Sequence, residues 1–440
     1  MKGNFLPPSG PDPTTNWTAV GFGLALASLA AYQMFKLPPA LPVMLEAYGY
    51  DRVLAGAFMS IFAIAGIALS LRVGNGLKRH GPWPYLIAAA GLFLSGEAIA
   101  LMVPENGAAM LVGRGLEGVG YAICAIAGPL IANLNASPRQ LPLVIGLTAT
   151  WVPVGQLMAS LISLPVVALD QWRPLWWVGV GLTLALAVWG LRIRRDTTIN
   201  MTMGNMIMGR AGKPPAGVAD RPGDDRPGDD LPGDDRPRRG PSPAIERRAL
   251  IAAAAVFGVW SGQYIGYMTW LPAFLVETHD FAPEIAVFAY MTPTALVLIF
   301  CLITGALLRA GAPLIPLMIG SMAVQAALWL ATPITGSGWL GVAALIAYGV
   351  SSGITPVCLF SLPSAIMGGD RVDGRAFGIV MTGRNMGILV GPVLLAQAVA
   401  LSADWSLVWP LYGGATIIAA AGTVYLGGLL KRLRVGERLE

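Results

Sequence analysis

The chain has 440 residues, of which 55% are hydrophobic and 12% charged, with a formal net charge of +5. Soluble domains carry roughly 25% charged residues, so the bulk of this chain is composed for lipid rather than water. Cys124, Cys301 and Cys358 stand singly in apolar windows, which gives neither a disulfide framework nor zinc-ligand spacing; they read as small packing residues.

A polar tail, residues 1–16, leads into an apolar stretch from Trp17. That stretch outlasts the 7 to 15 residues or so of a signal-peptide core and has no small-residue cleavage pattern, so a retained helix is expected. A bilayer-spanning helix needs about 20 apolar residues. Such windows recur at 17–45, 53–75, 83–104, 108–134, 142–169, 172–192, 248–276, 284–309, 313–334, 338–362, 375–401 and 405–430, predicting an all-α protein with twelve transmembrane helices.

With the N-terminus inside, the inner loops collect Lys78, Arg79, Arg139, Arg192, Arg194, Arg195, Arg309, Arg371 and Arg375. The outer loops hold Glu46, Asp51, Glu105, Asp170, Glu277, Asp280, Glu284 and Asp404, with Arg52 and Arg173 as the basic exceptions. The positive-inside rule therefore predicts a multi-pass protein of the cytoplasmic (inner) membrane with both termini in the cytosol.

Residues 196–246 contain RPGDDRPGDDLPGDDRP. A repeat of Pro, Gly and paired Asp cannot bury apolar surface, and each Arg is cancelled by neighbouring Asp, so a disordered cytosolic linker is expected and nucleic acid is not a partner. The linker separates an N-terminal bundle, 17–195, from a C-terminal bundle, 247–431, with a cytosolic tail over 432–440.

The two bundles repeat each other. Gln33 with Leu41-Pro42 matches Gln263 with Leu271-Pro272 at an offset of 230, Gly146 and Gly155 match Gly378 and Gly387 at 232, and Trp172 and Trp176 match Trp405 and Trp409 at 233. An ordered series with a slow drift points to two six-helix bundles in parallel repeat, with a cavity between them near the midplane.

GNGLKRHGPW at 74–83, through Gly74, Arg79 and Gly81, resembles the loop between helices two and three of the major facilitator superfamily. VGRGLEGVGYA at 112–122 resembles its fourth-helix pattern through Arg114, Gly118 and Gly120. The loop departs from the pattern at Lys78, where the family carries an Asp that latches the cytosolic gate. FKLPPALPVM at 35–44, RGLEGVGYAICAIAGPLIA at 114–132 and WVPVGQL at 151–157 look like the cyanate and nitroimidazole permease-type branch. The resemblance implies alternating-access transport of a small, mostly anionic or polar solute, with helix one lining the cavity and helix three outside it.

Five ionisable residues fall inside the spans: Lys36, Glu97, Arg114, Glu117 and Arg384. A charge at bilayer depth costs about 2.5 to 3.5 kcal/mol on insertion scales, so each needs a partner or a cavity. Arg114 and Glu117, three apart on one helix, read either as a structural pair or as a gating and proton-relay pair. Glu97 is expected as a neutral or interface-reaching carboxyl, or as a second coupling group. Lys36 and Arg384 have no acidic residue within four positions. Lys36 precedes Pro38-Pro39, which remove backbone donors and leave carbonyls free. Arg384 lies about ten residues into its helix, hence about 15 Å deep.

One cation from each half facing a common cavity would hold an anion between them; snorkelling of Lys36 and helix-packing of Arg384 are the alternatives. Gln33, Gln263, Tyr264, Tyr267, Asn385 and Trp151 join them as candidate substrate contacts, with Gln156 as a further donor. Lys78 and Arg79 are candidate gating residues. His80 and His279 fall on opposite sides of the bilayer, and no nucleophile or phosphate-loop motif is present, so an enzyme is not expected.

The function expected is a secondary transporter for a small organic anion or a cyanate-like solute, acting as a monomer without cofactor, with a proton or exchanged solute as possible partner besides the lipid bilayer. Drug or metabolite efflux and a non-transporting receptor or scaffold are the alternatives.

Overall fold

The computed structural model describes residues 14–137, 139–194, 243–368 and 374–438. The segment 195–242, which holds most of the expected linker, lies outside them. Among the described residues the fold is all-α. The N-terminal half comprises α1 (Trp17–Phe35), α2 (Leu37–Tyr48), α3 (Arg52–His80), α4 (Trp83–Met102), α5 (Gly107–Leu134), α6 (Leu141–Thr148), α7 (Trp151–Val167) and α8 (Arg173–Ile193). The C-terminal half comprises α9 (Pro243–His279), α10 (Pro283–Arg309), α11 (Leu314–Thr335), α12 (Trp339–Met367), α13 (Gly374–Ser402) and α14 (Val408–Arg438). The helix α9 thus begins inside the segment assigned to the linker, and α14 continues past residue 431.

Among the described residues, eleven segments are long and apolar enough to cross a membrane, counting α1 and α2 as one. The twelfth expected span, 142–169, comes in two pieces, α6 and α7, parted at Ala149 and Thr150. Short polar side chains start the helices: Asn16 accepts from the Ala19 N–H, Asp51 from Leu54, and Asn106 from Ala108 and Ala109, each satisfying donors that a helix start leaves free. Gly49 closes α2 in the left-handed region (φ 59°), open to glycine without strain.

Small residues set the helix packing. In the C-terminal half Gly258, Gly262 and Gly266 of α9 meet Gly383, Gly387 and Gly391 of α13. A Cβ built on Gly258 would stand 2.9 Å from the Gly383 carbonyl oxygen, and one on Gly262 3.2 Å from that of Gly387. The two backbones therefore touch, the close approach that small residues at i, i+4 permit in lipid. In the N-terminal half Gly23 of α1 similarly meets Gly128 of α5. Gly118 packs on Phe62 and Gly349 on Pro293, both pairs related by an offset of 231, so the repeat extends to the packing contacts.

The halves meet where α3 lies on α13 and α7 on α10, spans two with eleven and five with eight. Near the end that carries Glu105, Asp170 and Asp404, Arg52 and Glu277 form an ion pair at 3.0 Å across the halves. Deeper, Gly56 abuts the backbone of Pro392, and Gly66 faces the Asn385 amide.

Candidate functional site

The buried charges of the N-terminal half form one closed cluster. Lys36, Glu97, Arg114 and Glu117 come from the α1–α2 break, α4 and α5, and all are 0% exposed. Lys36 Nζ donates to Gln33 Oε1 at 2.6 Å and to Glu97 Oε1 and Glu117 Oε1 at 3.1 Å each, using its three hydrogens. The ammonium also lies 4.7 Å from the centre of the Trp176 ring. Arg114 pairs with Glu117 Oε2 through Nη1, which also donates to the Gln33 carbonyl at 2.8 Å. Its Nη2 donates to the Met34 carbonyl at 3.0 Å and its Nε to that of Phe58 at 3.3 Å, over the Phe62 ring.

These contacts correct two expectations. Lys36 neither snorkels nor faces a cleft: α4 and α5 bring it Glu97 and Glu117, carboxylates far beyond the four positions on either side of it in sequence. Glu97 is not an interface-reaching carboxyl; it is enclosed beside Lys36. Gln33 is likewise taken, its Nε2 donating to Glu97 Oε1 at 2.8 Å and to Thr183 Oγ1 at 3.2 Å. Two cations and two carboxylates leave the cluster neutral when all are ionised, and breaking such a buried pair costs about 3 to 5 kcal/mol. One carboxylate oxygen, Glu97 Oε2, has no hydrogen-bond partner although it is buried. A proton added there breaks no bond.

The C-terminal half carries an uncharged version. Gln263 Nε2 donates to Gln325 Oε1 at 2.9 Å, Tyr348 donates to Gln263 Oε1 at 2.9 Å, and Gln325 Nε2 donates to Thr355 at 3.1 Å. Gly266 stands 230 residues after Lys36, and the Tyr412 hydroxyl occupies the space beside it. Tyr412 in turn stands 233 residues after Gly179, which in the first half leaves room for Glu97. The side chain that fills this space enters from the first helix in one half and from the last in the other.

Between the halves, Gln156 Nε2 donates to the Tyr290 hydroxyl at 2.7 Å, and the Tyr264 hydroxyl lies 3.5 Å from Gln156 Oε1. Tyr264 thus faces the interface, whereas Tyr267 packs on Trp329 and Tyr348 inside its own half. Trp151 starts α7 against Tyr121, which meets Phe62 edge-on.

Arg384 stands apart from the charged cluster, so the expected two-cation clamp with Lys36 is not formed. Its guanidinium is half-buried and reaches Asn385 Oδ1 at 3.3 Å; its carbonyl accepts from Ser261 Oγ at 2.8 Å. The alternative partner, Glu117, is held by Lys36 and Arg114. Arg79 is exposed, and the side chain of Lys78 lies outside the described residues. Beyond the spans, hydrogen bonds from Ser406 hold the Asp404 carboxyl below its ordinary value. Sequence reasoning missed Trp176, Thr183, Tyr290, Gln325 and Tyr348; the mid-span amide Gln325 was findable as a lone polar residue in an apolar window.

Two helical bundles in parallel repeat, with polar side chains enclosed at mid-depth and a seam between them, define a membrane transport protein. The chain belongs to the Major Facilitator Superfamily, whose family model matches residues 22–392. Its fold is that of a D-xylose-proton symporter (TM-score 0.67, 13% identity, covering 93% of this chain and 97% of that one) and of the nucleoside transporter NupG (TM-score 0.65, 13% identity, 92% and 99%). Among curated relatives it is 39% identical to the dehydrocurvularin exporter of Alternaria cinerariae over 104 residues, 22% of this chain and 16% of that one. It is 26% identical to the putative uncharacterized transporter YgaY of Escherichia coli K12 over 189 residues, 41% and 45%. The matches thus span less than half the length of each of these relatives.

Proposed function

We propose that the protein is a secondary transporter for a small organic anion, working by alternating access, with Arg384 as the anion's main partner. One observation carries this reading: among the described residues, Arg384 is the mid-span cation with no carboxylate in ion-pair contact, whereas Lys36 and Arg114 are neutralised in their own half. Its planar guanidinium suits a carboxylate, and Asn385 beside it adds an amide at the seam with α3. Ser261 of α9 reaches the Arg384 carbonyl, and Gln156 and Tyr264 add polar groups at the other seam, where α7 meets α10. The positive-inside rule puts the Arg52–Glu277 end outside, and the contacts from there to Gly66–Asn385 correspond to a state closed on the outer side. The coupling proton's seat moves from Glu117, whose oxygens are both held by cations, to Glu97.

The test is binding of labelled small carboxylates to purified protein, with uptake into vesicles under a pH gradient. Arg384→Gln should weaken binding about 30-fold or more, the cost of losing a charged partner in a desolvated site, while melting unchanged. Arg384→Lys should also be impaired. Unchanged affinity in Arg384→Gln with a lowered melting temperature would make the residue a packing element instead. Export of the same class of anion is the second reading, favoured by the match to the dehydrocurvularin exporter; the direction of accumulation in the vesicle assay decides between them.

A further inference from the structure

The face of α13 that carries Arg384 continues inward from it. The helix packs chiefly on α9 and α3: Gly383, Gly387 and Gly391 touch α9, and Asn385 lies against Gly66 of α3. At about 100° per residue, Asn385 stands about 160° round the helix from Gly387, while Arg384 and Phe377 stand about 60° and 80° round in the same sense. Both therefore point into the wedge between α9 and α3. The exposed residues Met386 and Val390 lie about 140 to 180° from Phe377, on the opposite side, where α13 meets lipid.

Exposure changes abruptly along this line. Ile388 and Leu395, which continue the Phe377 direction outward to within about 20°, are 3% and 1% exposed, whereas Phe377 is 41% exposed. The wedge is closed on the outer side of Arg384 and open on the inner side. Phe360 of α12, 42% exposed, lies against Phe377 with ring centres 6.4 Å apart and planes at 22°. It also meets Phe257 of α9 edge-on at 5.1 Å, and that buried ring anchors the pair. Phe377 precedes Arg384 by seven residues, about 10 Å along the helix, and side chains of a helix lean toward its N-terminus, so the guanidinium leans toward the rings. An exposed aromatic pair beside a cation without a carboxylate makes a groove that is apolar at one end and positive at the other.

We infer that the anion held at Arg384 carries an aromatic body, which extends inward along α13 and is received by Phe377 and Phe360. The inference rests on the anion reading of Arg384 and narrows it. A cyanate-sized solute would leave both rings in water, whereas an aryl-substituted carboxylate covers them and keeps its charge on the guanidinium.

The experiment uses full-length protein in lipid nanodiscs and two probes with the same carboxylate. Hydrocinnamate is propionate with a phenyl ring on its far carbon. Ligand-observed NMR titration should show hydrocinnamate binding about tenfold tighter than propionate, or more, from the ring surface buried and the aromatic contacts made. Phe377→Ala and, separately, Phe360→Ala should each cut that advantage about threefold or more. Both should leave propionate affinity and melting temperature unchanged, because rings already this exposed leave no core cavity behind. Met386→Ala, on the lipid side, should change neither probe. Arg384→Gln should weaken both probes by the same factor. In a Cys301→Ser background, Phe377→Cys should react with a charged thiol reagent and be protected by hydrocinnamate. Equal affinity for the two probes, or an advantage that survives both alanine variants, would overturn this inference, and a matched loss in Arg384→Gln would then leave the anion reading standing. Affinities untouched by Arg384→Gln would overturn both. A Phe377→Cys thiol that does not react would lie in lipid and overturn the inference alone.

Discussion

The carbonyl of Met34 accepts Nη2 of Arg114 at 3.0 Å, and Met34 lies four residues before Pro38, whose missing N–H would have been that carbonyl's helical partner. A proline break in α1 and a cation on α5 thus satisfy each other. Arg114 holds the broken helix and Glu117 together, so its removal leaves carbonyls and a carboxylate bare at once. Arg114→Gln should lower stability by about 3 to 5 kcal/mol, read as a large fall in melting temperature in detergent. A melt like the parent's would show that the guanidinium is replaceable and therefore not the structural lock described here.

Glu97 and Glu117 should behave differently although both are enclosed carboxyls. Glu97→Gln keeps an oxygen for Lys36 and Gln33 and places the amide where Oε2 now has no partner. That variant should fold, lose accumulation driven by a pH gradient, and still exchange labelled for unlabelled solute. Glu117→Gln turns an N–H group toward Lys36 or Arg114 and should instead fold poorly. Proton-driven accumulation retained by Glu97→Gln would remove Glu97 from coupling.

The contacts across the seam differ in worth by their burial. The Arg52–Glu277 pair is 36% and 30% exposed, so Glu277→Gln should cost about 1 kcal/mol or less and fade with salt. Tyr290→Phe strips a fully buried partner from Gln156 and should destabilise this closed arrangement by about 1 to 3 kcal/mol. Labelling of a cysteine introduced at Ala282, beyond the spans, reports how often that end opens. Equal labelling rates in the two variants would refute the ranking.

The glycine ridge gives a contrast within one helix. A Cβ on Gly387 collides with the Gly258 carbonyl, while one on Gly378, about two and a half turns earlier, meets nothing within 4 Å. Gly387→Ala should therefore lower the melting temperature sharply or abolish expression, and Gly378→Ala should be tolerated. Parity between them would mean α9 and α13 are not in backbone contact.

The fold was legible because its signals are long-range in composition and short-range in pattern: apolar windows, loop charges and the recurrence of Gln33, Trp172 and Trp176 in the second half. The broken span α6–α7 was harder to see, since its window stays apolar through Ala149 and Thr150. The site was legible residue by residue but not in its pairing. All four members of the charged cluster were picked out, yet only Arg114 and Glu117 share a helix, and the approach of Lys36 to Glu97 depends on how α4 packs on α5 and α8. Gly179 and Gly266 decide that space by having no side chain, which a search for functional groups passes over. Arg384 kept its isolation because, among the described residues, no helix brings a carboxylate into ion-pair contact with it.

On the proposed coupling through Glu97, its bare oxygen also sets the electrical character of the transport cycle. The cluster is neutral with Glu97 ionised and gains one positive charge when that oxygen takes a proton. If a monovalent anion then settles on Arg384, the added charges cancel, and the loaded carrier reorients with the same total charge as the empty one. Membrane voltage does work only on net charge moved, about 2.3 kcal/mol per charge per 100 mV. Uptake should then follow the pH difference across a vesicle wall and ignore a potassium diffusion potential imposed with valinomycin, whereas a divalent substrate would make the rate voltage-dependent.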